Sequence, residues 1–208
     1  MSSLNLAYLT IKGFLLHPFN STTSVRRFIQ LYTPADLCIQ NSLDLGCGLS
    51  PNNIFHSPYA KGVDIMSSND STVKQADLSI EQIPFEDGSF DAITSFDFLE
   101  HIPRTIFNPI ENKVTLPFIR CMNDIYRVLA PNGIFLSKTP SYPSRLAFHD
   151  PTHVNFITDS TLKDYFCISE THKVSRPGAS MYGFNGCFKH IKTKWLLGGW
   201  TVSMLQKM

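Results

Sequence analysis

The chain predicts an α/β fold: a doubly wound, mostly parallel sheet with N-terminal cap helices and a C-terminal antiparallel hairpin. Three observations predict it. Between Ser42 and Ser137, short apolar runs alternate with segments of helical period. One of these runs, Ser42-Leu43-Asp44-Leu45, stops at Gly46-Cys47-Gly48, as a buried parallel strand does where backbone must approach a ligand. The last stretch holds two strand-like runs, Phe188 to Leu197 and Trp200 to Leu205, on either side of Gly198-Gly199.

Each element follows from its own pattern. Leu4, Tyr8, Ile11 and Leu15 recur at helical spacing, and His17-Pro18 ends that run. Val25, Phe28, Ile29 and Tyr32 predict a second helix, stopped near Pro34. These two helices form a cap over residues 1–36. Strands are expected at Ser42–Leu45, Gly62–Ile65, Val73–Leu78 and Phe90–Phe96. A long helix then carries Val114, Phe118, Cys121, Met122, Ile125, Tyr126 and Leu129 on one face. Pro131-Asn132-Gly133 breaks it, and Gly133–Ser137 starts a fifth strand. Residues 139–157 are rich in Pro, Tyr, His and Asp and lack any period; a connection of that length points to a functional loop. Asp159 or Ser160 is placed to cap a short helix through Leu162 and Phe166. The hairpin occupies residues 184–208.

With 208 residues, 43% apolar and 17% charged, the chain is sized for one domain, 1–208. A net charge of +1 offers no large footprint for nucleic acid or an anionic membrane. No apolar run reaches the length of a membrane span, and the amphipathic N-terminus lacks the pattern of a secretory leader. The five cysteines (Cys38, Cys47, Cys121, Cys167, Cys187) are odd in number and scattered, with no C-x-x-C pair. Reduced thiols in a cytoplasmic protein follow, and zinc fingers and cysteine-held iron–sulfur clusters are excluded.

Three acids, Asp44, Asp64 and Asp77, stand at the ends of three successive expected strands. Asp64 lies 18 positions beyond Gly46, about the separation at which an acid receives the hydroxyls of a ribose. A carboxylate accepts both hydroxyls at once. The third Gly of G-x-G-x-x-G is absent, since Leu49-Ser50-Pro51-Asn52 follows Gly48. Its absence, with Asp44 beside the turn, argues against a pyrophosphate and for a cofactor carrying an amino group.

These residues resemble the class I S-adenosylmethionine-dependent methyltransferases. The matching pieces are Leu43-Asp44-Leu45-Gly46-Cys47-Gly48, Gly62-Val63-Asp64, Ala76-Asp77-Leu78, Ile83 to Asp91, Phe98-Leu99-Glu100-His101-Ile102 and Tyr126 to Gly133. They cover residues 40–140, the expected cofactor-binding core. The resemblance implies a seven-stranded Rossmann-like sheet and S-adenosyl-L-methionine as cofactor, with S-adenosyl-L-homocysteine as product. It implies that Gly46, Cys47 and Gly48 bring backbone to the methionine part and that Asp44 orients its amino group. Asp64, with Ile65 beside it, would hold the ribose. Asp77 would receive the adenine amino group with Leu78 beside the ring, although Asp70 and Glu81 stand close enough to compete. Ser95 and Phe96 would offer backbone near the amino acid moiety. The acids of Phe85–Asp91 are expected to be structural, and Cys47 a small buried residue.

For the acceptor, the segment Phe148-His149-Asp150-Pro151-Thr152-His153-Val154-Asn155-Phe156 supplies the candidates. It is similar to a bacterial subgroup of the family associated with polysaccharide and natural-product gene clusters. A hydroxyl acceptor must lose a proton, most often to His or a carboxylate. His149 or His153 is the candidate base or binding group, with Asp150 orienting His153, binding a hydroxyl or simply making a turn. His101 could reach the acceptor or could pack. The His149, Asp150 and His153 cluster could also ligate a divalent metal, as some sugar methyltransferases require, but no metal is assigned. Tyr142, Tyr182, Phe184 and Trp195 are candidates for an apolar wall. The expected activity is methyl transfer to a small molecule, a hydroxyl of a sugar or natural product, by a monomer or homodimer. Methylation of a lipid or quinone precursor at a membrane surface, and a non-catalytic cofactor-binding protein, are the alternatives. A nucleic acid partner is disfavoured because Ser95-Phe96-Asp97-Phe98 replaces the Asn/Asp-Pro-Pro-Tyr/Phe signature of base methylases. Integral membrane association is not expected.

Overall fold

In the computed structural model, residues 21–110, 112–168, 176–196 and 198–208 are described. The first expected helix, Leu4 to Leu15, lies outside them. The second is α1, Ser21–Tyr32, with Val25 and Phe28 buried as the helical spacing requires. The strands are β1 (Asn41–Leu45), β2 (Tyr59–Asp64), β3 (Val73–Gln75), β4 (Phe90–Phe96), β5 (Ile106–Asn108), β6 (Lys113–Thr115), β7 (Leu129–Pro140), β8 (Phe188–Leu196) and β9 (Trp200–Lys207). The remaining helices are α2 (Pro117–Val128), α3 (Leu146–His149) and α4 (Thr161–Phe166).

Seven strands form one sheet in the order β3-β2-β1-β4-β7-β9-β8. The first five pair in parallel, while β7–β9 and β8–β9 are antiparallel. The strand order reverses between β1 and β4, so the crevice for a ligand opens beyond their carboxyl ends. Period-2 alternation along β1 sends Leu43 and Leu45 into one core layer, with α2 residues Phe118, Met122, Ile125 and Val128 and with Phe166 of α4. Ser42 and Asp44 point the other way. On that opposite face α1 packs Val25 and Phe28 against Ala92, Ile134, Leu136, Val202 and Met204.

Several boundaries differ from expectation. Among the described residues, the connections β1–β2, β2–β3 and β3–β4 carry no helix, so α2 is the one crossover helix between parallel strands. The helix expected from Val114 to Leu129 is shorter at both ends. Pro117 cannot donate within a helix and so sits at its start, and Val114 belongs to the β5–β6 hairpin. Pro131-Asn132-Gly133 lies inside β7 instead of ending a helix. It is accommodated by an irregularity opposite β4 and by a left-handed Asn132 (φ 63°). β3 ends at Gln75, short of Asp77 and Leu78. Ser160 flanks α4 without a side-chain cap; Thr161 Oγ1 instead accepts from Thr158 N at 3.0 Å. Asp87 and Asp91, just before and within β4, are structural. Asp91 accepts from Gln40 N and Asn41 N at 2.9 Å each, and Asp87 pairs with Arg127 at 2.9 Å.

Candidate active site

The turn after β1 is built from two left-handed glycines, Gly46 (φ 69°) and Gly48 (φ 65°). Gly46 N and Cys47 N donate to Val63 O at 2.9 and 3.3 Å, which ties the turn to β2. Gly48 N donates to the Asp64 carboxylate at 2.7 Å. The Cys47 thiol faces β2, where a Cβ on Gly62 would stand 2.4 Å from Sγ. Burial, helped by Asp44 and Asp64, pushes that thiol up to about 12, so it stays protonated and unreactive. Only the backbone of Cys47 can serve a ligand. A Cβ on Gly46 would lie 2.7 Å from the Phe98 ring, whereas one on Gly48 would meet nothing within 4 Å. The turn therefore packs on one side and opens to free space on the other.

Asp64 closes β2 with each oxygen fixed by one backbone N–H, from Gly48 at 2.7 Å and Met66 at 2.9 Å. A carboxylate has about four acceptor positions, so two remain for the hydroxyls of a diol. Ile65 follows it with an exposed side chain, joined by exposed Leu49 and Met66 in the flanking segments. Asp44 is nearly buried and accepts from Thr94 Oγ1 at 2.6 Å and Asn52 N at 2.9 Å. Burial raises its pKa, the two hydrogen bonds oppose this, and the charge of Asp64 adds a further push upward. Ala76 N donates to Asp64 O at 2.9 Å, drawing the Asp77 segment beside Asp64. Asp77 is half-buried and accepts from Ser79 N at 2.9 Å. Its rivals are engaged in turns: Asp70 accepts from Thr72 at 2.6 and 2.9 Å, and Glu81 accepts from Asp77 N at 2.6 Å. The side chains of Leu78 and Ser95 are buried. Phe96 is half-buried and lines a cavity of about 650 Å³ with Val25, Ile29, Asn52, Phe55 and Lys138.

An acid-tipped strand, an open glycine turn and exposed apolar side chains fit an adenosyl group with a free ribose diol. Residues 43–137 match the family model of the methyltransferase domain. Over that stretch, a little under half of its length, the chain carries a methyltransferase domain. No curated protein matches it by sequence. Solved structures share its fold at low identity. One is a protein from Pyrococcus horikoshii OT3, with 16% identity, 90% of this chain and 91% of that one covered, and a TM-score of 0.51. Another is an S-adenosylmethionine-dependent methyltransferase from Mesorhizobium loti, with 13% identity, 87% and 96% covered, and a TM-score of 0.50. A third is the [4+2]-cyclase SpnF, with 14% identity, 88% and 80% covered, and a TM-score of 0.54.

Beyond the ends of β4 and β7 lies the segment that the sequence offered for an acceptor. Asp97, which sequence reasoning passed over, is left-handed (φ 52°) at the end of β4. Its carboxylate accepts from Trp200 Nε1 at 2.7 Å and Lys138 Nζ at 2.6 Å. Asp is among the few residues that tolerate this backbone, yet nothing local in the sequence marks it. The next turn, Leu99–His101, is three residues of 3₁₀ helix; no long helix opens there. It delivers Glu100, 1% exposed, whose Oε2 accepts from Thr139 Oγ1 at 2.9 Å while Oε1 has no partner. Burial pushes the Glu100 carboxyl up to about 7.

The loop after β7 folds back onto this turn. Val154 N and Asn155 N both donate to Glu100 O, at 3.0 and 2.9 Å, and Asn155 Nδ2 donates to Leu99 O at 3.2 Å. His153 is thereby brought against His101, with ring centroids 4.9 Å apart. Asp150 stands 4.0 Å from His153 Nε2. Hydrogen bonds from Thr152 N and Oγ1, at 2.8 and 2.6 Å, hold the Asp150 carboxylate below the usual range. Of the sequence candidates, His153, Asp150 and His101 are together. His149 is exposed on α3, where its Nδ1 lies 3.4 Å from Leu146 O, and it is not part of the His101–His153–Glu100 group. Glu100 was missed as a functional group because only its burial by a distant loop makes it unusual.

The expected aromatic wall is partly redrawn. Phe184 is core, and Trp195 Nε1 donates to Asp159 at 3.3 Å. Tyr182 is exposed beside a separate cavity of about 450 Å³. Tyr142 instead joins Phe148 and Phe156, with centroids 6.3 and 4.7 Å apart along the row, as an exposed aromatic face on the loop.

Proposed function

We propose that the whole chain, 1–208, acts as one methyltransferase domain on a hydroxyl of a small, sugar-like or natural-product acceptor. The observation that carries the reading is the His153–Asp150–His101–Glu100 group, packed where the loop after β7 meets the end of β4. Asp64, Asp77 and the open Gly46–Gly48 turn would hold the cofactor, with Asp44 behind them. When bound, S-adenosylmethionine supplies a methyl group on a sulfonium, already a good electrophile. The chain's own work is then to orient the acceptor and take its proton. His153 is the base on this reading, with Asp150 orienting it. The row Tyr142–Phe148–Phe156 offers stacking for the apolar face of a ring whose hydroxyls meet the polar group. Among the described residues, no helix is long and apolar enough to cross a membrane. The five free cysteines support a cytoplasmic setting.

The test is incubation with cell extract and methyl-labelled cofactor, read by mass spectrometry. Label on a small polar metabolite is expected. With that acceptor, His153→Asn should lower kcat by about 10²–10⁴-fold, and His149→Ala should leave it near wild type. Equal rates for wild type and His153→Asn would exclude His153 as the base. The β5–β6 hairpin favours a second reading, since it exposes Phe107, Ile110 and Val114. This surface suits a lipid or quinone precursor at a membrane, and label in the lipid fraction, with sedimentation on vesicles, would select it.

A further inference from the structure

Glu100, His101 and His153 each present one ligand atom, and these atoms lie within 4.8 Å of one another. Within this group of residues, Glu100 Oε1 and His153 Nδ1 are buried without a hydrogen-bond partner. An unpartnered buried polar atom is costly, and two facing one small space call for a shared partner. The Glu100 side chain is 1% exposed and that of His153 is 8%. Solvent therefore satisfies neither.

From this geometry we propose that Glu100, His101 and His153 form a site for one divalent transition-metal cation. Two imidazoles and a carboxylate suit zinc, cobalt, manganese or iron better than calcium or magnesium. Around a tetrahedral ion with bonds of about 2.0–2.1 Å, ligand atoms are about 3.4 Å apart.

The surroundings of the two rings set them up as ligands. His101 Nδ1 lies 3.3 Å from Thr152 O, so it donates there and leaves the Nε2 lone pair for a cation. The Thr152 hydroxyl, 3.1 Å from the same Nδ1, is itself directed to Asp150 at 2.6 Å. Asp150 lies 4.0 Å from His153 Nε2, beyond hydrogen-bond distance but near enough to favour the proton there and leave the Nδ1 lone pair for a cation. A closer approach would make it the outer acid that orients a metal-bound imidazole. Thr139 Oγ1 holds the other oxygen of Glu100 in the same way.

Three protein ligands leave a cation with open positions, as in catalytic sites. On the sugar-like acceptor proposed above, these positions suit two neighbouring hydroxyl oxygens. This use rests on the methyltransferase reading; the cation site itself does not. With the cation bound, His153 is a ligand instead of a base. The acceptor O–H bond then breaks with its proton passing to water, and the oxygen keeps the electron pair for attack.

The test uses the full chain, stripped with chelator and dialysed against Co²⁺. One bound cobalt per chain with visible absorption bands is expected in wild type. Glu100→Gln, His101→Asn and His153→Asn should each lose it, and Asp150→Asn should weaken it about 10–100-fold. A thermal shift with S-adenosylhomocysteine confirms that each variant is folded. Should a variant fail to fold, Mn²⁺ added to the unmutated protein should broaden the ring protons of His101 and His153 while His190 stays sharp. Wild type that binds no more cobalt than His101→Asn, or Mn²⁺ broadening centred elsewhere, overturns the site. Cobalt binding without any cofactor-induced shift would instead count against the methyltransferase reading.

Discussion

Replacing Gly46 or Gly48 by alanine should separate the two jobs of the turn after β1. Both residues are left-handed, at φ 69° and 65°, so each alanine carries backbone strain of roughly 1–2 kcal/mol. At Gly46 the new Cβ also falls 2.7 Å from Phe98 Cδ2 and 2.9 Å from its Cβ, and that ring packs against the main core. Overpacking of this kind costs a further ~1–3 kcal/mol. In a chain of this size, 1 kcal/mol moves Tm by about 2–4 °C. Gly46→Ala should therefore lower Tm by roughly 4–20 °C. Gly48→Ala meets nothing within 4 Å and should lower it by only about 2–8 °C. Its Cβ would project into the space assigned to the cofactor, so binding should suffer instead. Differential scanning fluorimetry with and without S-adenosylhomocysteine reads both effects. A Gly48→Ala protein that keeps the full ligand shift would refute the assignment of that open space. Equal Tm losses in the two variants would refute the packing argument.

Three further outcomes follow from the same geometry. The folded-state pKa of Asp44 is raised, so the folded protein holds more protons than the unfolded one in the window just above the ordinary carboxylate value; stability falls as pH rises through that window and then levels. Asp44→Asn should flatten this fall in Tm against pH, and a steeper fall would show that the sign is wrong. Cys38 is exposed while the Cys47 thiol is pushed up to about 12, so a thiol reagent at pH 8 should label Cys38 quickly and Cys47 slowly, as peptide mapping can check. Arg127 donates to Phe85 O, Ile83 O, Asp87 and Asp124 at 2.8–2.9 Å, and Arg127→Met should cost about 2–4 kcal/mol in urea unfolding, mostly from orphaned carbonyls.

The turn after β1 was legible because its signal is local. Gly46-Cys47-Gly48 marks a strand end, and Asp64 closes the next strand. The C-terminal hairpin was legible for the same reason, since Gly198-Gly199 divides two strand-like runs. Helical period misled at Val114, which shares the spacing of Phe118 and Cys121 yet lies beyond Pro117 in a hairpin. Pro131-Asn132-Gly133 reads as a break, but a β irregularity absorbs it within β7. The region beyond β4 and β7 resisted because its contacts are long-range. Asn155 clamps the loop onto Leu99 and Glu100, more than fifty residues earlier, and no sequence window holds both. That clamp separates His153 from His149, which look alike in sequence. It also buries Glu100, turning an ordinary surface acid into a group near neutrality.

The central claim is that the turn after β1 and Asp64 hold S-adenosylmethionine. Its most direct test is the thermal shift of wild type and Asp64→Ala with S-adenosylhomocysteine and, separately, with NAD. At about one hundred times Kd the product should stabilise wild type by about 2.7 kcal/mol, a rise of roughly 5–10 °C. The shift should vanish in Asp64→Ala while its unfolding stays cooperative. A shift with NAD instead, or an undiminished shift in Asp64→Ala, would contradict the assignment.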